Sequence, residues 1–308
     1  MTKKRVAILM GGWSAEREVS LDSGRLVGVA LQELGHDVIS IDVKRDLSHL
    51  MTALTPKPDV VFNALHGVGG EDGAVQGLLE ILGIPYTHSG VEASAIAMNK
   101  VLSRRVFEQE GIPVPTWKVV CKKDVETTHP MPMPYVIKPI NEGSSKGVYI
   151  IHCEEDFEKF QKEWEFGETL LIEKFIKGRE VQVGVMGSQA MGAIEIRPRE
   201  AFYNYTAKYT DGRAEHLMPA PLSLEAYQKV LALGLKAHQV LGCRSVSRSD
   251  FMYDEGQDRF YLLELNTQPG MSPLSLLPEI VAHKGITFNQ LISWMLDQAR
   301  CDQKICAH

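Results

Sequence analysis

Three things are scarce in this sequence, and each scarcity excludes a class of function. Basic charge is not in excess: 33 Lys and Arg against 39 Asp and Glu give a formal net charge of −6 over 308 residues. A chain that tracks a polyanion needs a basic face, so nucleic acid is not an expected partner. Long apolar runs are missing as well. No stretch reaches the ~20 residues of a membrane span, and Ala95 to Val106 is broken by Asn99, Lys100 and the Arg104/Arg105 pair. After Lys3, Lys4 and Arg5, the first apolar run is cut short at Gly11 and Gly12, too early for a signal-peptide core. It reads instead as a first strand, and the chain is expected to be soluble, with no membrane partner. Cysteine is sparse and odd in number: Cys121, Cys153, Cys243, Cys301 and Cys306 lack the paired spacing of a zinc site. That pattern fits thiols kept reduced in a cytoplasm.

What is present has globular composition, 44% hydrophobic and 23% charged, at a length that suits two or three packed units. Arg5 to Met10 reads as a buried strand. A glycine turn follows, then a helix whose Leu26, Val27, Ala30, Leu31 and Leu34 share one face before Gly35 stops it. Strands at Val38 to Val43 and Asp59 to Leu65, with helical pattern between them, complete a βαβ unit. Helices are expected at Asp72 to Leu82 and, as one long element, at Ala95 to Glu110. From Trp117 the texture turns to strands, interrupted by a helix at Glu155 to Trp164. Arg197 to Pro219 is long, polar and without period, as a functional lid or a disordered stretch would be. An amphipathic helix at Leu224 to Leu241 precedes a hairpin of Val246 to Tyr253 with Phe260 to Asn266, and a last helix at Phe288 to Ala299 leads into a tail expected to fray.

The hairpin carries the strongest chemical signal. Glu264 and Asn266 are two apart and leave the same face of a strand, and if the hairpin centres near Gln257, Asp250 lies almost opposite Glu264. Hard oxygen donors at adjacent strand ends suit Mg²⁺, and polyphosphate oxygens and water complete its octahedron. The plain alternative is a solvated strand end. Against it stands the apolar setting, Tyr261-Leu262-Leu263-Glu264-Leu265, which would bury an acid to no purpose. Arg248, two before Asp250, is either a simple ion-pair partner or a stabiliser of developing negative charge.

A second signal is Lys138 running into Glu142-Gly143-Ser144-Ser145-Lys146-Gly147, a basic strand end followed by a Gly/Ser loop. Small residues let backbone N–H groups approach phosphate, and paired glycines permit a lid to move. It is not a P-loop, which needs Gly-Lys-Ser/Thr opening a helix. Near the N-terminus, Gly11-Gly12-Trp13-Ser14-Ala15-Glu16-Arg17-Glu18 only mimics a dinucleotide turn. The third glycine is missing, and Glu16 and Glu18 stand where a pyrophosphate belongs, so the site suits an ammonium, or simply a favourable helix N-terminus. His66, in His66-Gly67-Val68-Gly69-Gly70-Glu71, also ends a strand, a position where a lone histidine is more often structural. The long loop holds Tyr203, Tyr205, Lys208 and Tyr209, incidental aromatics or a closing lid.

In their order, the stretches GGWSAEREVSLDSG, ALHGVGGEDGAVQG, KPINEGSSKGV, LIEKFI, AKYTDG and LELNTQPGMSPLS resemble the motifs of the D-alanine:D-alanine ligase family, within the ATP-grasp superfamily, from about Val6 to Leu296. The resemblance implies an α/β fold of three-domain ATP-grasp architecture: an N-terminal βαβ domain at 1–96, a central domain at 97–182 and a C-terminal domain at 183–308. It implies that ATP joins two D-alanine molecules through an acyl phosphate, for peptidoglycan synthesis, with release of ADP and phosphate. Two magnesium ions, or manganese, would be held by Asp250, Glu264 and Asn266. Lys100 and Lys138 would hold the α- and β-phosphates, Ser144 and Ser145 would cover the γ-phosphate, and Glu173, Lys174, Phe175 and Ile176 would face adenine. Glu180 would take the ribose. Arg248 and the Gly270 N–H would stabilise the oxyanion. Glu16 would bind the first D-alanine ammonium, with His66 nearby, and Lys208 and Ser275 the second carboxylate. Ser144, Tyr209 and Glu16 would bridge the closed lid. A homodimer is left open. Trp13, Lys146, where an apolar residue is frequent, and Thr206, where an acid is frequent, depart from commoner versions without removing a reacting group. The rival readings are another ATP-grasp carboxylate-amine ligase, an NAD-dependent dehydrogenase and a nucleotide sensor without turnover.

Overall fold

The computed structural model describes residues 2–125, 128–198, 214–272 and 274–302. Arg5–Gly11 forms β1, buried along most of its length. Arg17–Glu33 is α1, Asp37–Val43 β2, Leu47–Ala53 α2 and Val60–Asn63 β3. The sheet order is β2-β1-β3, and both pairings are parallel, Gly11 beside Val43 and Leu9 beside Asn63. Parallel neighbours need a crossover, which α1 and α2 supply. Alternation along β1 fills two cores. Val6 and Ile8 meet Val27 and Leu31 of α1, while Ala7 and Leu9 face Leu50, Leu79 and Tyr86.

After α3, Ala74–Leu82, closed by Gly83 at φ 58°, the apolar stretch expected to form one helix forms two: α4, Val91–Met98, and α5, Lys100–Gln109. Asn99 is the reason. Its backbone is extended at φ −88° and ψ 101°, and its carboxamide oxygen accepts the N–H groups of Val101 and Leu102. An apolar periodicity runs through such a break unaltered, and only the capping preference of Asn marks it. The Lys100 N–H, freed from helix bonding, donates instead to the Ile140 carbonyl at 3.1 Å.

A four-stranded antiparallel sheet comes next. Trp117–Cys121 is β4, Tyr135–Pro139 β5, Tyr149–Ile151 β6 and Thr169–Lys174 β7, in the order β4-β7-β5-β6. Helix α6, Glu154–Glu163, buries Phe157 and Phe160 against Tyr135, Ile137, Leu170 and Ile172. The third sheet is five-stranded: β8 (Arg179–Met186), β9 (Gln189–Pro198), β10 (Ala214–Leu217), β11 (Val246–Asp254) and β12 (Arg259–Asn266), ordered β10-β9-β8-β11-β12. β8 runs through residue 182, where the central unit was expected to end. Helix α7, Leu224–Val240, sets Ala226, Val230 and Ala237 on Val181, Val183 and Phe251, and Phe107 of α5 enters the same core.

The C-terminal part departs from expectation twice. Leu276–Ala282 forms α8, a short helix the sequence pattern did not announce, with Pro278 in its first turn, where proline is tolerated. The last helix, α9 (Phe288–Asp297), packs Leu291, Ile292, Met295 and Leu296 under the first sheet. The segment beyond it, expected to fray, is docked as far as Asp302. The Arg300 N–H donates to the Tyr86 carbonyl at 3.3 Å, and the Asp302 carboxylate accepts the Val91 N–H at 3.0 Å at the start of α4. Among the described residues no helix is long and apolar enough to cross a membrane.

Candidate active site

Strand alternation builds one polar face on the five-stranded sheet. Val181 and Val183 of β8 point into the core, so Glu180 and Gln182 point away from it. On β11, Asp250 lies beside Gln182 on one side and beside Glu264 of β12 on the other, and Arg248 faces Asn266. The hairpin pairing expected from the sequence is therefore the one observed. A register shift follows between Asp250 and Phe251, so the strand is irregular next to the acid.

Asp250 is only 3% exposed, and Arg248 neutralises it in a two-pronged pair, Nε to Oδ1 at 2.8 Å and Nη2 to Oδ2 at 2.9 Å. Asn266 Oδ1 accepts the Gln268 N–H at 2.7 Å, and Lys100 Nζ stands 3.5 Å from a Glu264 oxygen. Among the described residues no three His, Cys, Asp or Glu side chains form a metal-binding group by themselves. The donors here are two carboxylates and an amide oxygen, hard ligands that fit Mg²⁺ when polyphosphate oxygens complete the shell.

Two clefts open on this face. The larger, with a cavity volume of about 450 Å³, lies between the four- and five-stranded sheets, with Lys138 and Ser145 on one wall and Glu180 and Asp250 on the other. Lys174, Phe175 and Ile176 line it too, as does Lys146. Lys138 is buried. Desolvation pulls its pKa down to about 8, against the opposing pull of Glu173, whose Oε1 is 2.5 Å away. The other oxygen of Glu173 is held by Arg104. With both oxygens engaged, Glu173 is the centre of a buried charge cluster, and it lines the larger cleft beside Lys174. Glu180 accepts a hydrogen bond from Gln182 Nε2 at 2.9 Å.

The smaller cleft, with a cavity volume of about 100 Å³, is bounded by Glu16, His66, Ser144, Arg248, Gly270 and Ser275, among others. Glu16 immediately precedes α1, is 8% exposed, and accepts the Ser144 hydroxyl. Two glycines make room for its carboxylate. A Cβ on Gly67, whose φ is +69°, or on Gly143 would come within 2.9 Å of Glu16 Oε2. His66 Nδ1 lies 3.5 Å from Glu71. Burial alone would lower the imidazole pKa, but the Glu71 hydrogen bond and the charges of Glu71 and Glu16 outweigh it, so the pKa is raised. Ser275, the residue before α8, accepts the Ser272 N–H at 2.9 Å, and its hydroxyl sits close under Gly270.

Lys100, Glu142 and Glu264 line both clefts, so the two meet there. The Lys100 ammonium also donates to the Glu142 carbonyl at the root of the Gly/Ser loop. Lys146, farther along that loop, donates to the Ala15 carbonyl at 3.2 Å, and Trp13 packs over Gly69. Lys208, Tyr209 and Thr206 lie outside the described residues. Sequence reasoning missed Arg104, Glu71 and Gln182. For Arg104 the sequence offers only its place one turn after Lys100, and its burial is seen only in the structure.

The family model described as D-ala D-ala ligase C-terminus matches residues 106–297, and the one described as D-ala D-ala ligase N-terminus matches residues 48–89. The chain is 49% identical to D-alanine–D-alanine ligase B of Mesorhizobium japonicum, covering 98% of this chain and 99% of that protein. To the D-alanine–D-alanine ligase of a Chelativorans species it is 50% identical at the same coverage. Crystal structures of the D-alanine–D-alanine ligase of Bacillus anthracis superpose with a TM-score of 0.83 at 31% identity over 96% of both chains, and, for the complex with ATP, 0.82 at 30% over 97% of both. With a polar sheet face, two joined clefts and this likeness along nearly its whole length, the chain belongs to the D-alanine–D-alanine ligase family, of ATP-grasp fold.

Proposed function

We propose that the chain uses ATP to join two molecules of D-alanine, forming D-alanyl-D-alanine for peptidoglycan synthesis and releasing ADP and phosphate. The observation that carries this reading is the meeting of the two clefts at Lys100, Glu142 and Glu264. A nucleotide in the larger cleft and an amino acid in the smaller one would bring phosphate and carboxylate together at that seam. The relative crystallised with ATP supports the nucleotide assignment.

In the first step a carboxylate oxygen of D-alanine attacks the γ-phosphorus, the bond to the leaving ADP oxygen breaks, and an acyl phosphate forms. Glu16 holds the ammonium of that D-alanine, with His66 alongside. Lys100 and Lys138 neutralise the α- and β-phosphates, Ser144 and Ser145 cover the γ-phosphate, and Glu180 takes the ribose hydroxyls. Glu173, Lys174, Phe175 and Ile176 face adenine, partly through backbone groups. Asp250, Glu264 and Asn266 would hold Mg²⁺ or Mn²⁺, which supplies charge neutralisation at the phosphoryl oxygens when bound. In the second step the amine of another D-alanine, deprotonated, attacks the acyl carbon, and phosphate leaves from the tetrahedral intermediate. Arg248 and the Gly270 N–H stabilise the oxyanion, for which one donor contributes ~2.7 to 4 kcal/mol. Ser275 and Lys208 take the second carboxylate, and Tyr209 joins Ser144 and Glu16 in closing the lid against water.

The three units are read as 1–96, 97–182 and 183–308, with a cytoplasmic location and a homodimer left open. Phosphate release from Mg-ATP, dependent on D-alanine and matched by dipeptide, tests the reading.

A further inference from the structure

Lys100 and Arg104 are one turn apart on α5, at a spacing that aligns them along one side of the helix. Lys100 reaches the seam between the clefts. Arg104 is turned inward, 1% exposed, and lines neither cleft. Its Nη2 alone grips two different sheets: the Glu173 carboxylate on β7 and the Leu263 carbonyl on β12, at 3.2 Å. Glu173 in turn holds Lys138, and Leu263 directly precedes Glu264. Among the described residues, the Nε and Nη1 of Arg104 have no hydrogen-bond partner. A site concerned with packing alone would be better served by an apolar side chain than by a buried guanidinium satisfied at one nitrogen.

Resting on the ATP reading above, we propose that Arg104 is a positioning residue for the nucleotide: by tying β7 to β12 through α5 it fixes the width of the larger cleft and the spacing of Lys100, Lys138 and Glu264 that a nucleoside triphosphate requires. Without it, Glu173 is free to follow Lys138 alone, and the two sheets lose a side chain that bonds both walls from behind. Arginine suits the position because its guanidinium stays charged when buried and is more weakly hydrated than an ammonium, whereas a buried lysine readily loses its charge.

The test compares wild type, Arg104→Met and Arg104→Lys by calorimetric titration with Mg-ATP, by steady-state kinetics and by thermal unfolding. Arg104→Met raises the Kd and KM for ATP by roughly tenfold or more, the range for losing a charge-assisted hydrogen bond, while KM for D-alanine moves by less than about twofold. Arg104→Lys recovers part of the ATP affinity. If Arg104→Met does not fold, Arg104→Lys carries the comparison, with a selective rise in KM for ATP expected. A folded Arg104→Met with unchanged ATP affinity, or variants whose KM for ATP and D-alanine rise equally, would overturn the proposal. The reading of the substrate fails separately: wild type would then bind Mg-ATP without phosphate release in response to D-alanine, and the calorimetric comparison would still judge Arg104.

Discussion

Ser144 donates its hydroxyl to the carboxylate of Glu16 across 128 positions of sequence, so the Gly/Ser loop is fastened to the start of α1. The Lys146 bond to the Ala15 carbonyl fastens the same two segments again, two residues farther along the loop and one residue before Glu16. Ser144→Ala removes a hydrogen bond to a charged acceptor, a contribution of ~1.5 to 3 kcal/mol. The expected outcome is a rise in KM for D-alanine and a larger share of ATP hydrolysed without product. The ratio of dipeptide to phosphate checks it, and an unchanged ratio with unchanged KM would remove the fastening from the account.

Glu264 lines both clefts and pairs in register with Asp250. Glu264→Gln keeps the shape and deletes the charge, so turnover is expected to fall by roughly two orders of magnitude or more with folding retained. Circular dichroism and phosphate release, measured on the same preparation, decide this. Near-normal turnover by a folded variant rejects Glu264 as a metal ligand.

Glu180 stands in the larger cleft, oriented by Gln182. Glu180→Ala is expected to raise KM for ATP about tenfold or more, with kcat at saturation largely kept, because the lost contact is to the ribose in ground and transition states alike. If kcat drops while KM stays, Glu180 does not hold the ribose.

Lys138 supplies a pH dependence. Burial brings its pKa down to about 8, and the Glu173 charge opposes that fall. Below this value the ammonium is charged and ready for phosphate; above it the amine is neutral. kcat/KM for ATP, which reports the free enzyme, is therefore expected to decline as pH rises through about 8. Glu173→Gln removes the anion that sustains the charge, so the decline should begin at lower pH. A basic limb that stays in place in Glu173→Gln would separate Lys138 from ATP binding.

How far the site was legible depended on period. Glu264 and Asn266 share a face because strand alternation has a period of two, and Asp250 comes opposite Glu264 because the bulge between Asp250 and Phe251 adds one residue to a ladder that otherwise centres between Gly256 and Gln257. The parallel sheet and its crossovers were legible for the same reason. The break at Asn99 was not, since the apolar pattern of α4 continues into α5 and only one capping side chain separates them. The docked Arg300 to Asp302 segment depends on contacts with Tyr86 and Val91, more than two hundred residues away, which no local pattern encodes. Arg104 was hidden because charge on a helix reads as a solvated face unless its burial is known.

The central claim is the ligation itself. The direct measurement is phosphate release from Mg-ATP across a panel of D- and L-amino acids, with products identified by mass. The account predicts release that depends on D-alanine, one phosphate for each D-alanyl-D-alanine formed. Release indifferent to D-alanine, or product only with an L-amino acid or another amine, would contradict it.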